Sequence, residues 1–331
     1  MNRRAFTAGL GGAAALSLVS RTARAQQAQA VRRVGVFLGA NTEGDPDAKL
    51  IASILQDGLQ KLGWTLGRDV RFEYRYSGGN PALMEANVAE LVALAPDVMV
   101  VRGNRPVALM KQATQTIPIV FAQVGDPAGA GLIDNLARPG GNVTGFTHFE
   151  TSMGGKWLEA LKDVAPSVAR VAILMHPETP ANIGFLRVAE AAAPALGVTL
   201  APAAVRDAAS IEQAIAAAAG PGTGLVVMPH DVTVAHNRLI VALAAQHRLP
   251  AAYPYRFFVT QGGLVSYVFD LIDHWQRVTG YVDRILRGEK PATLPVQAPT
   301  KFELIVNLKT ARTLGLTVPA TVLSRADEVI E

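Results

Sequence analysis

The sequence contains no cysteine, and this absence excludes several kinds of protein at once. Without thiols there is no disulfide bond, no thiol nucleophile and no cysteine-ligated metal. A lipid anchor on an N-terminal cysteine is excluded for the same reason, so we expect a freely soluble mature protein.

The common catalytic motifs are missing as well. The chain has no HExxH, GxSxG or GxxxxGK[ST] motif, and Gly129-Ala130-Gly131 begins a dinucleotide fingerprint in which Asp134 replaces the third glycine. No two histidines lie at i and i+4 on one helix, so a metal site would need distant segments. The sequence therefore predicts no catalytic residues, no metal and no cofactor, and it does not predict an enzyme.

Acidic residues are absent from the first 25 positions. Arg3 and Arg4 precede a short apolar run from Ala8 to Val19, and the segment ends in the small-x-small sequence of a cleavage site. The paired arginines resemble the twin-arginine export signal, with the general export route as the alternative. The apolar run is shorter than the ~20 residues that a membrane span needs. We expect residues 1–25 to be an export signal peptide, cleaved after Ala25, which places the mature protein in the periplasm.

The basic charge of the chain belongs to this segment. Lys and Arg number 31 against 27 Asp and Glu, and four of the arginines lie in the first 25 residues, so the mature chain is balanced. No cluster of basic residues interleaved with aromatics remains elsewhere, so no nucleic-acid partner is expected.

The remaining chain is organised around residues 117–149. An apolar strand, a turn region rich in Gly, Pro and Asp, and a second strand follow one another here, and strand–helix units alternate on both sides. About 300 residues with 50% hydrophobic composition exceed one ordinary core, so this stretch is interpreted as a connection between two lobes. The predicted fold class is α/β, with two doubly wound parallel-sheet lobes joined by three hinge crossovers.

Ligands of such sheets bind beyond the carboxyl ends of the strands. The candidate ligand-binding residues at these ends are Asn41, Thr42, Asn104, Gln123, Asp126, Asn182, Asp231 and Tyr253. An enclosed Asp231 would need a partner such as an ammonium group, and the alternative is that it caps the following helix. Capping or turn formation is likewise the alternative for the asparagines and for Asp126.

An aromatic group at residues 253–258 also follows a predicted strand. It could pack in the hinge and core, or it could form a stacking wall for a planar ligand, with Arg256 as an anion partner.

Three stretches together, residues 124–147 (VGDPAGAGLIDNLARPGGNVTGFT), 262–319 (beginning GGLVSYVFD and ending TLGLTVP) and 325–331 (RADEVIE), resemble one family. It is the tryptophan/tyrosine-binding-like family of ABC-transporter substrate-binding proteins. Many relatives have Ser-Tyr-Gly-Pro-Asp where this chain has Ser266-Tyr267-Val268-Phe269-Asp270.

The resemblance implies a type I periplasmic binding fold. The N-terminal lobe would comprise residues 31–145 plus 259–295, and the C-terminal lobe residues 146–258 plus 296–331. The crossovers would fall near 142–149, 253–258 and 294–300.

The resemblance also implies a function. The chain would be the periplasmic solute-binding component of an ABC importer, a monomer that captures an amino acid or related solute between its lobes. Its partners would be that small molecule and an inner-membrane permease with its ATPase. The loops of Asn104 and Gln123 would hold a carboxylate, and Asp231 an ammonium group. The alternatives are an exported ligand sensor of the same fold that signals to a membrane receptor, and an enzyme that uses the cleft.

Overall fold

A computed structural model describes residues 31–331 of the chain, so the expected export signal lies outside the described residues. The first half of the structure is a five-stranded parallel sheet in the order β2-β1-β3-β4-β5. Its elements are β1 (Arg32–Leu38), α1 (Pro46–Lys61), β2 (Val70–Tyr76), α2 (Pro81–Ala93), β3 (Val98–Arg102), α3 (Asn104–Ala113), β4 (Ile119–Val124) and β5 (Val143–Thr147).

Both faces of this sheet are buried, which is why its strands are almost wholly apolar. Val34, Val36 and Leu38 of β1 point to one face and pack with α1, whereas Phe37 points to the other and packs with residues of α2 and α3. The alternation follows from the two-residue period of a strand. β2, whose alternating sequence predicts a less buried or edge strand, does lie at the edge.

The second sheet has seven strands in the order β12-β11-β10-β9-β8-β6-β7, all parallel except for the β10–β11 pair. Its elements are α4 (Met153–Val164), β6 (Arg170–Met175), α5 (Pro180–Ala192), β7 (Thr199–Ala204), α6 (Ala208–Ala218), β8 (Thr223–Val227), α7 (Asp231–Ala235), α8 (Asn237–Gln246), β9 (Ala251–Tyr253), α9 (Arg256–Thr260), β10 (Val265–Phe269), α10 (Leu271–Leu286), a 3₁₀ turn (Pro291–Thr293), β11 (Phe302–Asn307), α11 (Leu308–Thr313), α12 (Ala320–Leu323) and β12 (Glu328–Ile330). None of the helices between residues 31 and 331 is both long and apolar enough to cross a membrane.

One segment departs from the expected division of the chain. Residues 259–295 were expected in the N-terminal lobe, but β10 pairs with β9 and β11 inside the second sheet. The helix α10 that follows packs instead on α1 of the first sheet and places Trp275 in its core. The chain therefore passes between the lobes at Asp270, and residues 253–258 are no crossover because they lie within the second lobe. We propose Asp270 in place of residue 259 as the lobe boundary.

The three connections lie close together. The first follows β5 at residues 148–152, the second is Asp270, and the third covers residues 294–301, close to the expected 142–149 and 294–300. The third connection pairs with β5, since Gln297 donates its N–H to the carbonyl of Gly145 at 3.0 Å. Asp270 donates its N–H to the carbonyl of Lys301 at 3.0 Å. These hydrogen bonds make the three connections one hinge.

Candidate ligand-binding site

The carboxyl ends of the two sheets meet at the hinge. His148 follows β5 of the first sheet, and Tyr255 follows β9 of the second. The Tyr255 hydroxyl lies 3.4 Å from Nε2 of His148, and the two rings are stacked with their centroids 6.4 Å apart. Loops from both lobes therefore border the same space, as expected for parallel sheets.

The first lobe brings a cation to this space. Arg102, the last residue of β3, is half-buried, and its Nη1 donates a hydrogen bond of 2.7 Å to Oδ1 of Asn41. Asn41 in turn donates from Nδ2 to Asp45 at 2.8 Å. Burial lowers the pKa of Arg102, and Asp47, Tyr255 and Asp45 act against this shift. An arginine stays charged in spite of such a shift, so a positive charge sits at the border of the site.

The second lobe brings an anion. Asp231 is exposed at the start of α7, directly after the apolar strand β8. The residue that caps α7 is His230, whose Nδ1 accepts a hydrogen bond of 3.1 Å from the N–H of Val232. The helix thus has a cap other than Asp231, whose carboxylate remains available to a ligand.

Aromatic rings surround the contact between the lobes. Phe149 lies 4.4 Å from the ring of His148 and 5.4 Å from that of Tyr255, measured between centroids. Phe269 lies 5.1 Å from His274 at the start of α10. Burial lowers the pKa of His148 to about 4 and that of His274 to about 3, so both imidazoles are neutral at pH 7. Burial also raises the pKa of Tyr255. The positive charge of Arg102 acts against this shift, and the negative charge of Asp231 adds to it. Tyr255 therefore lies within the electrostatic reach of both charges.

Three of the candidate residues serve the scaffold in this structure. Asn182 is fully buried and joins two loops, accepting from the N–H of His176 at 2.9 Å and donating to the carbonyl of Pro229 at 3.0 Å. The side chain of Asn104 makes paired hydrogen bonds with the backbone of Gly125, at 2.9 Å to its N–H and 2.7 Å to its carbonyl. Tyr253 is 1% exposed and stacks on Phe258 in the second core.

Another three candidates lie at or just beyond the carboxyl ends of strands in the first sheet. Gln123 is buried, has a left-handed φ of 55°, and marks a register shift between β4 and β5. Asp126 has a φ of 42° and accepts a hydrogen bond of 3.0 Å from Gly129, as a structural turn would require. Thr42 is exposed beside the buried Asn41. Arg256, the anion partner in the stacking-wall alternative, is paired with Glu328.

Arg102 and His148 were not among the sequence candidates, and Tyr255 was considered only as part of the aromatic group at residues 253–258. The signal for Arg102 was its position as the charged last residue of the apolar strand Val98–Arg102, because its side chain must then lie at the carboxyl end of the sheet. The two rings come together only through tertiary structure. In the part of the chain that the structure covers, no group of His, Asp and Glu side chains could hold a metal ion.

Comparison with known proteins decides the family. The family model described as ABC transporter substrate binding protein matches residues 42–330. The chain belongs to this family. Its members are solute-binding proteins that serve ABC transporters.

Individual relatives agree with the family and the fold. A tyrosine-binding protein of Clostridioides difficile is 20% identical over 258 residues, which cover 78% of this chain and 74% of that protein. A domain from Streptococcus pneumonia solved in complex with L-Trp is 26% identical, covers 91% of this chain and 100% of that one, and has a TM-score of 0.78. A conserved domain protein from Vibrio cholerae is 28% identical, covers 90% and 99%, and also has a TM-score of 0.78. The fold is the type I periplasmic binding fold.

Proposed function

We propose that this substrate-binding protein is periplasmic and captures a small organic solute, an amino acid or a related compound, between its lobes. The proposal is supported by two opposite charges that both act on Tyr255 beside the hinge, Arg102 at the carboxyl end of β3 and Asp231 after β8. Relatives that bind tyrosine and L-Trp support the amino-acid class.

The proposed mechanism is a shift in the equilibrium between open and closed arrangements of the two lobes. A solute that touches both lobes binds the closed arrangement more tightly than the open one, so it shifts the equilibrium toward closure. The permease, together with its ATPase, then recognises the closed monomer. No covalent step is required, and we propose that the protein is not an enzyme.

A thermal-shift screen tests this proposal. The purified protein is screened against amino acids, aromatic acids, purines and small peptides, because a ligand that binds only the folded state raises Tm by mass action. At least one amino acid should raise Tm, and Asp231→Asn should reduce that shift by weakening binding about 10- to 100-fold. Glu190→Gln, an exposed acid on α5, is the charge-matched control and should bind as the unmodified protein does.

The outcomes are distinct. A ligand whose binding survives Asp231→Asn contradicts the role of this side chain but leaves solute binding intact. A complete absence of ligands contradicts the proposed function. Conversion of a bound compound into a product would show that the cleft is an active site.

A further inference from the structure

The charge of Arg102 has no counter-charge in direct contact. Among residues 31–331, none of the ion pairs includes Arg102. The acid closest to it in the hydrogen-bond network, Asp45, is reached only through Asn41. Because the Asp45 carboxylate also accepts a hydrogen bond of 2.9 Å from the N–H of Asp47, it is committed to the start of α1.

Asn41 fixes the guanidinium without neutralising it. The asparagine is 5% exposed, and its amide accepts from Arg102 on one side and donates to Asp45 on the other. An aspartate at this position would form an ion pair, whereas the neutral amide orients the group and leaves its charge free. Within the hydrogen bonds of residues 31–331, the guanidinium uses only Nη1. Neither of the other two guanidinium nitrogens is a buried atom without a hydrogen-bond partner, so both are accessible to solvent.

The surroundings of Arg102 suit a flat organic anion. Tyr255 of the second lobe and the neutral imidazole of His148, which follows β5, form a stacked pair within electrostatic reach of Arg102, and they add ring surface but no competing charge. Negative charge lies at Asp45 and Asp47, at the start of α1 in the first lobe, and at Asp231 in the second lobe. The side-chain amide of Asn104, from whose loop a carboxylate contact was expected, is occupied by the backbone of Gly125.

We propose that Arg102 is the anion-binding residue of the cleft and that it selects solutes with a carboxylate, whose cationic end faces Asp231. The guanidinium donates two parallel N–H···O hydrogen bonds to the carboxylate, a geometry that lysine or an amide cannot supply. This inference rests on the proposed function, because it names the class of solute that the same cleft takes.

The decisive experiment follows Arg102 directly. The protein is prepared with isotope-labelled arginine, and the Nε–Hε NMR signal of Arg102 is assigned by its loss in Arg102→Gln. Benzoate should shift this signal in a saturable way, whereas benzamide, which is similar in shape but uncharged, should not. In Asn41→Asp the new carboxylate should form an ion pair with the Arg102 guanidinium. Because this pair competes with benzoate, benzoate affinity should fall about 10- to 100-fold.

Two further variants separate a specific effect of Arg102 from a general effect of positive charge. Arg105→Gln removes an exposed charge from the first turn of α3, directly after β3, and should leave benzoate affinity within about twofold. Arg102→Lys keeps the charge but not the planar fork, and affinity should fall about tenfold. Circular dichroism melts establish that each variant is folded.

Equal shifts with benzoate and benzamide, or full benzoate affinity in Asn41→Asp, would overturn the inference. Its failure can be told apart from failure of the proposed function by comparing L-tryptophan with L-tryptophanamide in the thermal-shift assay. A neutral solute that binds equally well to Arg102→Gln would overturn carboxylate selection and leave solute binding intact. A benzoate response in a protein that no solute stabilises would support the anion site and contradict the proposed function.

Discussion

His274 is a buried histidine with no hydrogen-bond partner among the described residues on either ring nitrogen. Its ring lies against Phe146, Phe269 and Trp275, at centroid distances of 5.9, 5.1 and 6.1 Å. Burial lowers its pKa to about 3, and His148, Arg277 and Arg102 act in the same direction. The folded protein therefore holds this residue neutral at a pH where the unfolded chain would already bind a proton.

Stability should consequently fall in acid. The contribution of His274 is fully present above the unfolded pKa of about 6.5 and is lost as the pH falls toward 3. The free energy of unfolding, measured by urea denaturation, should decline below pH 6.5 by up to about 1.4 kcal/mol per pH unit for each such histidine. His274→Phe should make the decline shallower, whereas His247→Gln, at the distant end of α8, should not. An unchanged slope in His274→Phe would contradict this prediction.

Little of this residue-scale detail could be predicted from sequence. Asp231 was identified because a charge after an apolar strand must lie at the sheet edge, and the structure places it there. Asn182 looked equivalent by the same criterion, yet its amide is fully buried between two loops. Strand position alone does not reveal whether a polar side chain bonds to the scaffold or faces the solvent.

At the scale of elements, the packing of α4 on α5 depends on a close approach at Gly154. A Cβ added there would lie 2.0 Å from the carbonyl oxygen of Phe185, and 2.7 and 2.9 Å from the carbonyl carbon and Cα of the same residue. At the next position, Gly155, a Cβ would meet only Val188 at 3.6 Å and Ala192 at 3.7 Å. Adjacent glycines in one helix thus face different constraints.

Gly154→Ala should destabilise the protein by about 1–3 kcal/mol, because the two helices must separate. Gly155→Ala is the matched control, and it should be neutral or stabilising by up to about 1 kcal/mol, since alanine favours the helix. Chemical denaturation of both variants provides the measurement. Equal effects at the two positions would show that helix propensity, not close packing, governs this interface.

The order of elements was largely predictable, because apolar strands and amphipathic helices carry strong periodicity. The lobe to which β10 belongs could not be predicted from the sequence. Its apolar sequence suits either sheet, and only hydrogen bonding to β9 and β11 decides. The family resemblance placed the crossover too early for the same reason.

At the scale of the whole molecule, closure about the hinge should be visible as a change in distance. The chain has no cysteine, so Glu43→Cys combined with Glu178→Cys allows fluorescent labelling of the exposed loops that follow β1 and β6. An amino-acid ligand found in the screen should shorten the distance between the labels, measured by energy transfer. A pair within the first lobe, Glu43→Cys with Glu85→Cys, should give no change. Ligand binding without any change in the first pair would contradict hinge closure.

The passage of the chain at Asp270 also governs how the molecule can be made. The core of the first lobe needs Trp275, Val278 and Val282 of α10, which come after most of this 331-residue chain has been synthesised. The second sheet is incomplete until β11 and β12 have been synthesised, and β12 ends at Ile330. The first lobe therefore cannot be completed until most of the second lobe has been synthesised, so the two lobes overlap in their folding and do not form one after the other.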